Sequence, residues 1–286
     1  MRAAAERIVD LAERAVSARG RFTWALSGGN TPEELYSLLA SSEFKVRIDW
    51  TRIDFFWSDE RCVSPDHEQS NYRMACRSLL DVVRPPPAHV HRMQGELAPA
   101  LAARAYEQEL ERCFERSAGD GFPSLDLILL GMGADGHTAS LFPGTAALEE
   151  TRRWVVENQV PQLGVERLTF TLPLLNAAAH VLFLVAGADK APRLRAVLTA
   201  ASTLTAPELA VPSSAVPSSA VPSSAVPPSA VPPHEPLPAA RVRPGSGELE
   251  WLVDAPAAAL LPAALLPAAL RPRTSEASTQ RTDREN

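Results

Sequence analysis

Short runs of unbroken apolar residues alternate along this chain with segments whose apolar residues recur every three or four positions. Unbroken runs of this length predict strands buried on both faces. They are "RFTWAL" (21–26), "RIDFFW" (52–57), "LDLILL" (125–130), "AHVLFLVAG" (179–187) and "ELEWLVD" (248–254), with a shorter "AHVHRM" (88–93). The periodic segments predict helices over 32–40, 70–80, 98–116 and 190–200. At the amino terminus Ile8, Val9, Leu11, Ala12, Ala15 and Val16 share one helical face. Strands alternating with helices predict an α/β fold with a mainly parallel central sheet, covered on both sides. In such folds ligands sit beyond the carboxyl ends of the strands.

One segment breaks the alternation. From Val211 the chain reads "VPSSAVPSSAVPSSAVPPSAVPP", a five-residue repeat. Proline at that frequency removes amide donors and blocks helix, and nothing in the repeat can bury a core. Residues 206–236 are therefore expected to form an extended or disordered insertion in a single catalytic domain, 1–262. A proline-rich ligand role is a second reading of the same composition. The run "LLPAALLPAALRP" and a polar tail end the sequence, and 263–286 are expected to be disordered.

Composition narrows the function. The chain has 286 residues, is 45% hydrophobic and carries a net charge of −6. It has no basic block, which argues against nucleic-acid binding through a broad positive surface. Cys62, Cys76 and Cys113 are an odd set without paired spacing, which fits a reducing compartment, the cytoplasm, better than a disulfide framework. No apolar run approaches a membrane span, and Glu6, Asp10 and Glu13 are out of place in a signal or transit peptide. Oligomeric state is left open, a monomer included.

Three loops that follow strands carry the candidate chemistry. In "ALSGGNTPEELYSLL", a glycine pair leads into a helix with Thr31 placed as N-cap, Pro32 at N1 and Glu34 at N3, a capping box. Such a helix end offers free N–H groups to a phosphate; a tight strand-to-helix turn explains the same residues. It is not a Walker loop, because no G-K-[ST] follows. In "FFWSDERCVSPDHEQSNYRMA", Arg61 has the geometry to clamp a phosphate, while an exposed salt-bridge cluster is the commoner fate of such a D-E-R run. In "LILLGMGADGHTASLFPG", His137 follows the most buried strand, with Asp135 two residues earlier. A neutral imidazole there suits general-base work near pH 7. Gly131, Gly133 and Gly136 also spell G-x-G-x-x-G. A dinucleotide motif normally opens its domain, however, and Asp135 would face a pyrophosphate. The histidines are scattered; His89 and His91 form an H-x-H, but no carboxylate or cysteine at ligand spacing accompanies them, so no metal is expected. His67 and His180 are expected to be a solvated and a structural histidine.

Together "LSGGNTP", "SDERCVSPDHEQSNYRMA" and "LGMGADGHTASLFPG", in this order and spacing, closely resemble the motifs of the 6-phosphogluconolactonase family. "ERLTFTLPLLNAAAHVLFLVAGADKA" (166–191) and "LPAARVRPGSGELEWLVDAPAA" (237–258) agree. The resemblance covers roughly residues 1–260 without the repeat. It implies a Rossmann-like three-layer sandwich shared with sugar-phosphate deaminases and isomerases. It also implies hydrolysis of 6-phospho-D-glucono-1,5-lactone, with no metal or nucleotide. By the same resemblance His137 is the general base, Asp135 its orienting carboxylate, and Gly28, Gly29, Asn30 and Thr31 the phosphate loop. Arg61 and Lys190 would supply countercharge, with Asn71 and Arg167 as further pocket residues; a surface charge beside Glu166 is an equal reading of Arg167. An isomerase or deaminase of the same fold and an inactive binding relative are the alternatives.

Because surface insertions cost little loop-closure entropy, deleting residues 207–235 is expected to leave activity near that of the full chain. A large loss of kcat in a folded variant would contradict this.

Overall fold

All but one of the apolar runs read as strands enter a single sheet. The computed structural model describes residues 1–201, 208–210 and 236–265. Helix α1 (Arg2–Arg19) leads into β1 (Phe22–Leu26), then α2 (Asn30–Leu39), β2 (Ile53–Trp57) and β3 (Asp59–Arg61). Helices α3 (Asn71–Ala75) and α4 (Pro99–Phe114) precede β4 (Leu127–Leu130), β5 (Val155–Val160), β6 (Val165–Phe170) and β7 (His180–Val185). Helix α5 (Ala191–Ala201), β8 (Glu208–Ala210), β9 (Glu248–Val253) and the short α6 (Ala255–Ala258) follow, with shorter helical turns between these elements.

Six strands form the main sheet in the order β2-β1-β4-β7-β9-β8, and every pairing in it is parallel. The reason is visible in the residues. All positions of β1 and β4 are buried, as a parallel sheet with both faces covered requires. Trp24, Phe55, Phe183 and Trp251 fill the core from these strands, the last two stacked at 3.9 Å. From β1 the chain crosses to β2 on one side, and β4 lies on the other side of β1. The carboxyl ends of β1 and β4 thus flank a topological switch point, where the crevice of an open α/β sheet opens.

A second sheet, β3-β6-β5, is antiparallel. Ser58 joins the two sheets: its N–H donates to the Leu26 carbonyl at 2.9 Å, and its own carbonyl accepts from Phe170 N at 2.8 Å. The sequence reading missed this sheet. Its signal is modest but present, since β5 alternates buried and exposed positions through "VENQV" before the turn at Pro161–Gly164.

Three expectations need correction. Residues 88–93 are not a strand: Pro87–His89 is a 3-10 turn and only Val90 bridges to Phe55, because three preceding prolines leave little backbone free to pair. Glu208–Ala210, placed by sequence inside the insertion, is an edge strand in register with Glu250–Leu252. It contains no proline, so its amides are free to join the ladder. Ala263–Leu265, placed in the tail, still forms a 3-10 turn, and Leu265 packs on the core. Residues 211–235 and 266–286 lie outside the described residues. No helix among the described residues is long and apolar enough to cross a membrane.

The strand β8 sharpens the deletion experiment. Removing 211–235 is expected to leave stability and activity unchanged, whereas extending the cut through 208–210 removes an edge strand and is expected to lower the unfolding midpoint in urea.

Candidate functional site

The parallel sheet sends the loops after β1, β2, β4 and β7 to one edge. Neighbouring strands lie about 4.8 Å apart, so segments distant in sequence meet there.

The loop after β4 carries His137. Asp135 Oδ1 accepts from His137 Nδ1 at 2.6 Å and from the His137 amide at 3.1 Å. The carboxylate therefore favours the tautomer that carries its proton on Nδ1, in which Nε2 holds the lone pair. The Phe142 ring stacks on the imidazole at 4.1 Å and fixes its plane. Both His137 and Asp135 remain partly exposed. Burial opposes the Asp135 anion, but the bonds and charge of His137 outweigh it and pull the carboxyl below the usual aspartate range. Gly133 is what lets the pair form, because a Cβ there would overlap both His137 Nδ1 and Asp135 Oδ1. Ala139 is held at φ 47, a left-handed conformation costly for a residue with a side chain, two positions after the histidine.

After β2 the acidic residues of the D-E-R run are buried in β3, against the reading of an exposed charge cluster: Asp59 is 7% and Glu60 2% exposed. The Glu60 carboxylate is tied into the backbone of its neighbours and the Asp59 carboxylate into their side chains. Glu60 accepts from the amides of Arg61, Asn71 and Tyr72 and from Ser70 Oγ, at 2.7–3.1 Å. Burial pushes the Glu60 carboxyl above its ordinary value, against the pull of those three amides. Asp59 Oδ2 accepts from Ser140 Oγ at 2.7 Å, and Asn71 Nδ2 donates to the Asp59 carbonyl at 2.9 Å. Ser140 is held in turn by Asn158 Nδ2 on its carbonyl, at 2.8 Å, and by Thr169 Oγ1 on its amide, at 3.2 Å. Sequence reasoning missed Asp59, Ser140, Asn158 and Thr169, which have no shared motif and meet only across the two sheets.

The loop after β1 lies against the same network. Gly28 packs so closely on Asn71 that a Cβ would overlap its amide. Helix α2 begins at Asn30 with Gly29 as N-cap, and no side chain caps it. The capping box read from Thr31 and Glu34 therefore does not form, since Thr31 lies within the helix. What remains is a ten-residue helix whose first amides have no intrahelical acceptor, as at any helix start.

Arg61 and Arg167 are neighbours across β3 and β6. Arg61 donates to the Gln69 carbonyl. Neither guanidinium is ion-paired to a carboxylate among the described residues. Burial, then the like charge of Arg61, pull Arg167 below its ordinary value, so an anion placed between them relieves both. Beside them the Cys62 thiol is pushed up to about 11, by burial first and then by Glu166, which leaves it a thiol and no nucleophile near neutral pH. Lys190 follows β7 at the same sheet edge and pairs with Asp189 at 3.0 Å. Thr31 lines a small cavity with Val185, Ala186 and Asp254 at the ends of β7 and β9. Gly28 thus packs on Asn71 and Arg61 pairs with Arg167 across the strands, Glu60 linking the two through the Asn71 and Arg61 amides, while Lys190 shares only their edge. His67 is exposed, and His180 sits at the opposite, amino end of β7.

A model of the family described as glucosamine-6-phosphate isomerases/6-phosphogluconolactonase matches residues 1–226. The chain belongs to that family. A relative from Nostoc sp. named 6-phosphogluconolactonase is 44% identical over 191 residues, 66% of this chain and 77% of that protein. One of the same name from Synechocystis sp. is 50% identical over 178 residues, 62% of this chain and 71% of its own length. Among solved structures, 6-phosphogluconolactonase from Trypanosoma cruzi superposes with a TM-score of 0.70 at 27% identity, covering 90% of each chain. A monomeric glucosamine-6-phosphate deaminase, at 20% identity and a TM-score of 0.63, shares the family's fold.

The Asp135–His137 pair has a pH signature. A carboxyl depressed on folding adds stability above its unfolded value and loses that contribution as pH falls through its folded value. Asp135→Asn is therefore expected to destabilise the protein at pH 7 and to converge on the unaltered chain as the solution is acidified through the aspartate range. Urea unfolding at a series of pH values measures this, and a constant difference across the series would contradict it.

Proposed function

We propose that the protein hydrolyses the ring ester of 6-phospho-D-glucono-1,5-lactone to 6-phosphogluconate, the second step of the oxidative pentose phosphate pathway. The observation that carries the reading is one imidazole with Nδ1 committed to Asp135 and Nε2 directed away from that bond. It follows β4 at the sheet's switch point, and β3 and β6 carry Arg61 and Arg167 as cross-strand neighbours that have no carboxylate ion pair among the described residues.

His137 Nε2 takes a proton from water as its oxygen attacks C1 of the lactone. The tetrahedral intermediate collapses by breaking the bond between C1 and the ring oxygen. The imidazolium returns its proton to that oxygen, which becomes the C5 hydroxyl. Asp135 stabilises the imidazolium that forms between the two transfers and keeps the ring in the productive tautomer. The scheme needs water, an imidazole and a carboxylate, and routes no step through a metal or cofactor. Arg61 and Arg167 hold the 6-phosphate, with the backbone of Gly28, Gly29, Asn30 and Thr31 and the side chain of Lys190 around it. Asn71 is a positioning residue, placing Gly28 against the Asp59 network. The cytoplasm is the compartment we propose, on the three free cysteines.

Lactone hydrolysis at pH 7, corrected for the spontaneous rate, tests the reading. His137→Ala is expected to lower kcat at least about a hundredfold, within the usual range of general-base contributions. An unaltered protein no faster than the blank, or one that instead releases ammonia from glucosamine-6-phosphate, would overturn it. Arg167→Ala is expected to raise KM about ten- to a hundredfold with a smaller change in kcat, because charged hydrogen bonds to a remote phosphate contribute about 1.5–3 kcal/mol to binding.

A further inference from the structure

We propose that His91, Glu109 and Cys113 form a binding site for a thiophilic divalent cation such as zinc, away from the candidate active site. His89-x-His91 has no ligand partner nearby in sequence, but the fold supplies two. Glu109 and Cys113 stand four residues apart on one face of α4 and meet His91 beside β2, the sheet's edge strand.

The distances suit the ion. His91 Nδ1 lies 2.6 Å from Glu109 Oε1 and 3.5 Å from Cys113 Sγ, and Sγ lies 3.7 Å from Oε1. Tetrahedral zinc, with Zn–N of about 2.0 Å and Zn–S of about 2.3 Å, places nitrogen and sulfur ligands about 3.5 Å apart and nitrogen and oxygen ligands about 3.3 Å apart. Both sulfur edges therefore fit. The nitrogen–oxygen edge, drawn in by its hydrogen bond, must open by about 0.7 Å, and Glu109 is exposed enough to turn.

The imidazole is held as a ligand should be. Its other nitrogen, Nε2, lies 3.4 Å from Asp54 Oδ1, the carboxylate backing that orients metal-bound histidines. Asp54 also faces His89 Nδ1 at 3.2 Å. Phe56 stacks on the His91 ring at 4.6 Å, and the histidine is only 6% exposed. On the open side Arg112 Nη2 bonds Glu109 Oε1 at 2.5 Å and approaches Cys113 Sγ to 3.6 Å. A cation already stands where the metal would face solvent, on a side chain exposed enough to swing away. One thiolate and one carboxylate neutralise a divalent ion, and water completes the tetrahedron.

Cobalt(II) titration of the full chelator-stripped chain tests this. The expected result is a thiolate-to-cobalt charge-transfer band and tetrahedral visible bands that saturate at one equivalent and are reversed by zinc. Cys113→Ser, which retains Cys62 and Cys76, is expected to lose the charge-transfer band. Asp54→Asn is expected to weaken binding about 10–100-fold. Both variants should keep the far-ultraviolet circular dichroism of the parent chain and its lactone hydrolysis. No charge-transfer band, or an equal band in Cys113→Ser, would overturn the proposal and leave the cluster as an ion-paired network of His91, Glu109 and Arg112.

Discussion

The site depends on one buried carboxylate. Asp59 sits where β2 leaves the main sheet for the antiparallel one, and it bonds to groups from two other segments. Ser140 reaches it from beyond His137, and Asn71 reaches it from the start of α3 while pressing on Gly28. A charge at this depth is tolerable only when its oxygens are hydrogen-bonded. The same bonds that satisfy Asp59 therefore fix the histidine loop, the arginine strand and the glycine loop relative to one another. Glu60 does the parallel work for the backbone, collecting three amides that would otherwise be buried without acceptors.

On that frame the chemistry needs few parts. The imidazole is set by a carboxylate on one ring nitrogen and an aromatic face, so its free nitrogen has a defined direction. The guanidinium pair is set by cross-strand register, which places two like charges side by side. The imidazole pair depends on close backbone approach at a glycine. The loop after β4 cannot carry a side chain at Gly133 without breaking the pair it presents. Within the G-x-G-x-x-G spelling it is Gly133 that makes room for the histidine and the aspartate, while Gly136 turns the chain at φ 89 against Leu237.

The parallel sheet, its alternating helices and the location of the candidate base were legible in the sequence, because burial on both faces writes itself as unbroken apolar runs such as those of β1, β4 and β7. Asp135 and His137 were legible because their contact is local. The second sheet, the burial of Asp59 and Glu60, and the edge strand at Glu208–Ala210 were not. Polar residues look the same in sequence whether they meet solvent or each other.

Sequence by itself determined the layers, the order of the elements and the short-range pair of a carboxylate and an imidazole. These follow from local periodicity and from bonds between residues two apart. Tertiary structure alone decided which distant groups became neighbours: Ser140 with Asp59, Arg61 with Arg167, and His91 with Glu109 and Cys113. Each of those meetings is set by strand register or helix phase across segments separated by many residues, and chain order carries no record of such distances.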